Sequence, residues 1–196
     1  RLGEQWLAFF GLPNELWPVF YRHGLAAAGV HDPGKANSGF QQAIQHNGKQ
    51  AIRHEHLSAL IITLPQVSLW LQQGGLDAQL IAVVAASHHL KLSASDERYK
   101  LAAKQVEGIQ LLEILGEREL AGLFQTLGER LELPPWKETL PTLWNFSAGP
   151  GESIVALRDD LHRRMQHMKR DLRKDGQARR LWQALVAALI AADAAG

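Results

Sequence analysis

The sequence contains no cysteine among its 196 residues. Disulfide scaffolds, thiolate zinc sites, iron–sulfur clusters and cysteine nucleophiles are therefore excluded. The absence of cysteine also fits a reducing cytosol, and we expect a cytoplasmic protein. The chain also lacks the run of about 18 uncharged apolar residues that a membrane span requires. The best candidate, Leu181 to Ala192, is shorter than this and is followed directly by Asp193.

The chain has little excess charge and enough apolar residues for a substantial core. Its 21 lysines and arginines face 20 aspartates and glutamates, and 46% of its residues are hydrophobic. This composition excludes global disorder, and the length fits a single domain of about 100–200 residues.

Because the sequence begins with Arg1 rather than Met, we expect that residues ahead of it are missing and that a longer chain is possible.

Strand signals are scarce, whereas helical periodicity recurs along the chain. We therefore predict an all-α fold, a compact bundle of about eight to ten helices. The pattern predicts an amphipathic helix over Asp96 to Leu115 and a basic helix over Ile154 to Asp175 that Gly176 interrupts. It also predicts an exposed loop over Trp144 to Ser153, where Gly-Pro-Gly occurs.

Three apolar helical runs each end in ionisable residues. The runs are 25–30, 80–86 and 181–192, and they lead to His31 and Asp32, to His88 and His89, and to Asp193. His54 opens a fourth helix. A carboxylate at the buried end of such a run costs several kcal/mol unless it is paired or binds a metal. These residues together favour a metal site with nitrogen and oxygen donors.

Each of these features also has an ordinary explanation when it is taken alone. The His31-Asp32 doublet can be a coincidence, and Asp193 can be a solvated helix terminus. The pair His88-His89 can bond to free carbonyls at the end of a helix. Three apolar runs in one chain end in ionisable residues, and this repetition favours the metal site over three separate coincidences.

Four segments of the chain resemble a known family. The string HDPGK at 31–35 resembles the signature of the HD superfamily of metal-dependent phosphohydrolases. The wider segments HDPGKANSGFQ (31–41), RHEHLS (53–58), SHH (87–89) and AADAAG (191–196) resemble the CRISPR-associated HD nuclease of type I systems. They follow the family's order, so we expect residues 1–196 to form a single HD nuclease domain, truncated at its N-terminus and possibly part of a longer helicase–nuclease chain.

The resemblance implies a site that holds two divalent metal ions. The implied roles are Asp32 between the ions, His54, His88 and His89 on one ion, and His31 with Asp193 on the other. Lys35 is expected beside the scissile phosphate, and with Asp32 it forms the implied catalytic pair. His54 is preferred to His56 as the ligand because the family's histidine stands immediately before the glutamate.

One ligand of the family has no counterpart in the sequence. The family has a further histidine on a helix that precedes the HD doublet, and no histidine here precedes His23. His23 lies eight residues before His31 on the same predicted helix, about 80° away around its axis. We expect the ligand to lie ahead of Arg1, and without it the second ion is held weakly.

The expected cofactors and partners follow from the ligand chemistry and the resemblance. Histidine-rich ligation favours manganese, iron, cobalt or nickel over magnesium. The resemblance implies single-stranded DNA, cut without sequence preference during CRISPR interference, and an RNA-guided surveillance complex as a partner. The sequence has no GxxxxGK[ST] loop, so unwinding requires a separate ATP-dependent helicase domain or subunit.

A basic segment offers a possible contact for DNA. Residues 158–180 contain nine lysines and arginines against four aspartates. Arg163, Arg164 and Arg170 are the residues that we expect to follow a phosphate backbone. The alternative is a solvated helix face in which arginines pair with aspartates.

Two other functions remain open from the sequence. One is an HD phosphohydrolase acting on nucleotides or cyclic dinucleotides, although the Gly-Tyr-Pro signature of the cyclic-dinucleotide enzymes is absent. The other is a non-catalytic helical interaction module whose metal site has decayed, for which the missing ligand is the support.

Overall fold

The computed structural model describes residues 2–46, 52–88, 111–114, 116–145, 160, 163–168, 170–171 and 174–195. The α-helices with defined bounds are α1 (Leu2–Phe9), α2 (Trp17–Val30), α3 (Ser38–Gln45), α4 (His54–Thr63), α5 (Pro65–Gln73), α6 (Ala78–Ser87), α7 (Glu117–Leu131) and α8 (Gly176–Ala195). Single 3₁₀ turns occupy Asn14–Leu16 and Pro33–Lys35, and the described residues from 160 to 171 are also helical. The predicted all-α class is confirmed.

The centre of the bundle is the pair of helices α4 and α6, which pack against each other. Every residue of α4 from His54 to Ile62 is buried, and so is every residue of α6 except Gln79. A helix that is buried all round must be enclosed by other helices. Here α2, α5 and α8 pack against α6. Polar residues at the ends of α4 and α6 therefore lie inside the protein.

The helix α2 is fixed to two neighbouring helices by one arginine. The Nη2 atom of Arg22 donates to the carbonyl oxygen of Gly74 at 2.9 Å and to that of Leu131 at 3.0 Å. These carbonyls stand at the C-terminal ends of α5 and α7, where no partner within the helix remains for them. The cation is also favourable at the negative end of each helix dipole.

A short antiparallel β-ladder corrects the predicted secondary structure at two places. Strand β1 (Leu111–Glu113) pairs with strand β2 (Leu143–Asn145). The end of the helix predicted over 96–115 and the start of the loop predicted over 144–153 are therefore wrong. A short apolar run such as Leu-Leu-Glu-Ile does not distinguish helix from strand, and the pairing was decided by a distant partner. Within the same two segments, Asn145 belongs to β2 and Ile114 forms an isolated bridge with Asn37. The other parts of both segments lie outside the described residues.

The last helix begins where the break at Gly176 was predicted. The Oδ1 atom of Asp175 accepts hydrogen bonds from the backbone N–H groups of Gln177 and Ala178, at 2.9 and 3.0 Å, and so caps α8. The helix then runs for 20 residues and carries Asp193 in its final turn. Across the described part of the chain, no helix combines the length and hydropathy of a membrane span.

Candidate metal centre

The segment that carries the HD doublet is seated directly on α4. The backbone N–H of Gly34 donates to the buried Ser58 Oγ at 2.8 Å. A Cβ atom at Gly34 would overlap the carbonyl oxygen of His54 and would lie 2.8 Å from the Ser58 nitrogen. Only glycine lets the backbone come this close, so the Pro33–Lys35 turn fixes Asp32 beside the first turn of α4.

Asn37 holds the same segment from its other side. Its Nδ2 group donates to the carbonyl oxygen of Gly34, and its Oδ1 atom accepts from the Phe40 N–H at 2.8 Å, which caps α3. Asn37 and Ser58 are both buried. The pattern of the sequence indicated no role for either residue, although both lie within the segments that resemble the family.

Two of the predicted histidine ligands have a tautomer that their hydrogen bonds determine. The Nδ1 atom of His31 lies 2.7 Å from the Ala28 carbonyl oxygen, and that of His88 lies 2.5 Å from the Ala85 carbonyl oxygen. A carbonyl oxygen only accepts, so in each ring Nδ1 carries the hydrogen. In the neutral ring Nε2 then has the lone pair that a metal requires.

Asp32 is the point at which these side chains meet. Its Oδ1 atom lies 3.5 Å from His54 Nε2 and 3.8 Å from His88 Nε2. Its Oδ2 atom lies 3.3 Å from His31 Nε2. Three histidines that are far apart in the sequence therefore turn Nε2 towards one carboxylate.

Asp193 and Lys35 complete the described part of the cluster. Oδ1 of Asp193 lies 3.4 Å from His31 Nε2, and Nζ of Lys35 lies 2.6 Å from Asp32 Oδ2. The predicted ligand His89 lies outside the described residues. The structure thus brings together Asp32, Lys35, His31, His54, His88 and Asp193, while their roles stay predictions.

The chemistry of the cluster fits a divalent cation. The Nε2 atom of His31 and the Oδ1 atom of Asp32 are buried and form no hydrogen bond with the described part of the chain. Leaving such a buried atom without a hydrogen-bond partner costs about 1–3 kcal/mol of folding free energy. Donor atoms of His31, Asp32 and His88 lie within 4.8 Å of one another. A cation bound between these nitrogen and oxygen donors would satisfy them.

The charges of the site compensate one another. Burial raises the pKa of Asp32, but the contacts with His31 and Lys35 outweigh it and hold the pKa well below its ordinary value. Burial lowers the pKa of His31, but its contacts with Asp32, with the Ala28 carbonyl and with Asp193 together outweigh burial, so the pKa is raised above 6.5. The carboxylate is therefore ionised, and a proton on His31 competes with a metal ion for Nε2.

His23 is engaged elsewhere in the fold. Its Nδ1–H donates to the Val19 carbonyl oxygen at 2.8 Å, and its Nε2 accepts from the Asp77 N–H at 3.0 Å. Both ring nitrogens are used, so His23 ties α2 to the start of α6. This arrangement argues against His23 as a replacement for the family's further histidine.

The arginines expected to contact DNA pair with residues of their own segment. Arg163 Nη2 and Arg164 Nε lie 3.3 and 2.6 Å from the two carboxylate oxygens of Asp160. Arg170 donates to His167 Nδ1 at 2.8 Å. Exposed pairs of this kind contribute little to stability and are screened by salt. The contact with DNA stays a prediction.

Comparison with known proteins establishes the family. Residues 22–193 match the family described as "Cas3, HD domain". The chain belongs to the Cas3 HD-domain family. A protein of Myxococcus xanthus (strain DK1622), which carries the name CRISPR-associated nuclease/helicase Cas3, is 38% identical over 94 residues. The aligned segment is 45% of this chain and 13% of that relative.

Membership of the Cas3 HD-domain family confirms the resemblance drawn from the four sequence segments. It implies a metal-dependent hydrolase, and the cluster of His31, Asp32 and His88 is placed to bind a metal. The chain matches only a small part of its longer relative.

Replacing Gly34 by alanine tests the close approach of the HD segment to α4. We expect Gly34→Ala to lower the free energy of unfolding by about 1–3 kcal/mol, because the added methyl overlaps backbone atoms. We also expect weaker Mn²⁺ binding. Urea denaturation and titration calorimetry measure the two effects.

The matched control is Gly122→Ala on α7. A Cβ at Gly122 meets nothing within 4 Å, so this change should stabilise the helix by about 0.5–1 kcal/mol. Equal stability of Gly34→Ala and the wild type would contradict the close packing.

The raised pKa of His31 predicts how metal binding depends on pH. Mn²⁺ affinity should be constant well above that pKa and should fall as the pH drops through it, because the proton then occupies Nε2. Calorimetric titrations at about pH 8 and about pH 6 should show weaker Mn²⁺ binding at the lower pH. Binding at the lower pH should also release a proton. An affinity that does not change over this range would contradict the assignment.

Proposed function

We propose that this chain is a nuclease that hydrolyses phosphodiester bonds of single-stranded DNA without sequence preference, in CRISPR interference. The observation that supports the proposal is the convergence of three histidines and Asp193 around Asp32, from four separate segments of the chain. A purely structural cluster would not need three imidazoles with Nε2 turned to one carboxylate.

The proposed ligands are those that the resemblance implies. Asp32 would contribute to both of two ions, His54, His88 and His89 would hold one of them, and His31 and Asp193 would hold the other. Two bound divalent ions would activate water and offset the charge that develops in phosphodiester displacement. Imidazole donors favour manganese, iron, cobalt or nickel over magnesium.

Lys35 is proposed to contact the scissile phosphate. Its side chain is 41% exposed, and its ammonium group touches the Asp32 carboxylate at the edge of the site. A cation that reaches both the site and solvent can meet an incoming phosphate oxygen and balance part of its charge. The aspartate in turn keeps the ammonium group close to the position of reaction.

The proposed partners are a helicase and an RNA-guided surveillance complex. The matched relative carries the name nuclease/helicase, and the aligned segment is only 13% of it. The present sequence has no phosphate-binding loop for ATP, so we propose that an ATP-dependent helicase, fused or separate, supplies the single strand. In this proposal residues 1–196 act as one nuclease domain in the cytoplasm.

Cleavage of circular single-stranded DNA tests the proposed activity. With Mn²⁺ we expect linear products, because a circle has no ends and requires internal cleavage. Asp32→Asn should lower the rate by about a hundredfold or more, since the charge that the proposed metal ions share is lost. The control is Glu119→Gln, an exposed acid in the first turn of α7 that lies outside both the cluster and the basic segment, which should retain the rate.

The same assay separates the two alternatives. Hydrolysis of nucleotides or cyclic dinucleotides without cleavage of the circle would support the other class of HD phosphohydrolase. Equal metal content in the wild type and in a His88→Ala/His89→Ala double variant would support the non-catalytic module.

Charge reversal of the basic segment tests its role in following DNA. The triple variant Arg163→Glu/Arg164→Glu/Arg170→Glu should bind single-stranded DNA more weakly. The slope of the logarithm of the binding constant against the logarithm of the salt concentration should become smaller in magnitude by about 0.7 for each phosphate contact removed. Fluorescence anisotropy at several salt concentrations measures both quantities. Arg118→Glu on α7 is the control, and an unchanged slope in the triple variant would exclude the role.

A further inference from the structure

Glu55 is a buried acid that stands beside the candidate metal centre. It stands in the first turn of α4, next to His54, and only 3% of its surface is exposed. Taking a carboxylate out of water costs several kcal/mol unless other groups compensate it. A buried glutamate at this place therefore requires an explanation from its contacts.

The two carboxylate oxygens of Glu55 have different surroundings. Oε1 pairs with Nε of Arg53, which is the residue before α4. Oε2 is buried, forms no hydrogen bond with the described residues, and lies 3.5 Å from Nδ1 of His54. The arginine therefore anchors one oxygen and leaves the other beside the imidazole.

The ring of His54 thus lies between two carboxylates. Glu55 Oε2 stands at Nδ1, and Asp32 Oδ1 stands 3.5 Å from Nε2. His31 and His88 instead direct Nδ1 at backbone carbonyls three residues earlier, at the ends of their helices. His54 opens α4, so no preceding turn of its own helix can provide such a carbonyl.

We propose that Glu55 is a positioning residue for the metal centre: its carboxylate favours the hydrogen on Nδ1 of His54, and Nε2 is thereby directed at the cation beside Asp32. The inference rests on the proposed function, since it requires that His54 bind a metal. A carboxylate at the second nitrogen of a ligating histidine fixes the ring and raises its basicity. Arg53 in turn orients the carboxylate.

Metal affinity of Glu55→Gln tests the proposal independently of any cleavage. We expect the variant to bind Mn²⁺ about tenfold to a hundredfold more weakly by titration calorimetry, because the amide lacks the charge that supports His54. The matched control is Glu119→Gln, the same change in the first turn of α7, where the acid is exposed. Its Mn²⁺ affinity should equal that of the wild type.

Three outcomes are distinguishable. Affinity of Glu55→Gln within twofold of the wild type would overturn the inference and leave the proposed function intact. A wild-type protein that binds no Mn²⁺ would contradict the proposed function and this inference with it. A tenfold loss in Glu55→Gln, with unchanged affinity in Glu119→Gln, would support both.

A spectroscopic measurement keeps the inference testable if the variant does not fold. In the wild-type protein loaded with the diamagnetic ion Zn²⁺, nitrogen-15 shifts report which ring nitrogen of His54 is protonated and which is coordinated. We expect a protonated Nδ1 and a coordinated Nε2. Coordination through Nδ1 would overturn the inference, and a purely structural role of Glu55 in α4 would not determine this result.

Discussion

The ionised carboxylate of Asp32 is the constraint on which the rest of the site depends. Its two oxygens face three imidazoles and one ammonium group at distances of 2.6–3.8 Å. A half-buried carboxylate is tolerable only where cations or hydrogen-bond donors surround it. The ends of α2, α4, α6 and α8 must therefore meet at one place, and the topology of the bundle satisfies this requirement.

The fold meets that requirement by burying two helices and seating a turn on one of them. Because α4 and α6 are enclosed, His54 and His88 at their ends lie inside the protein instead of in solvent. The glycine at position 34 brings the turn after Asp32 into contact with α4, and the Ser58 hydroxyl holds it there. Hydrophobic packing thus sets the position of the polar site.

The sequence predicted the helical class and the convergence of His31, His88 and Asp193, because apolar periodicity ends directly at these residues. It did not predict the β-ladder, since the partner of 111–113 lies about 30 residues away and no short pattern reveals it. The sequence also did not predict the contacts of His23, whose two ring nitrogens form hydrogen bonds with the backbone of Val19 and Asp77. Contacts of this kind depend on how helices pack, which periodicity does not specify.

Two basic groups within the HD motif also offset the charge of the Asp32 carboxylate. The Nζ atom of Lys35 and the Nε2 atom of His31 both lie close to Asp32 Oδ2, at 2.6 and 3.3 Å. The pKa of His31 is raised. The ammonium group, and the imidazole when it is protonated, compensate part of the desolvation of Asp32. The motif that would bind the metal therefore contains its own counter-charges: Lys35 is three residues after Asp32, and His31 is directly before it. A basic residue beside this candidate cation site thus has a physical reason, which is the charge of the aspartate that it offsets.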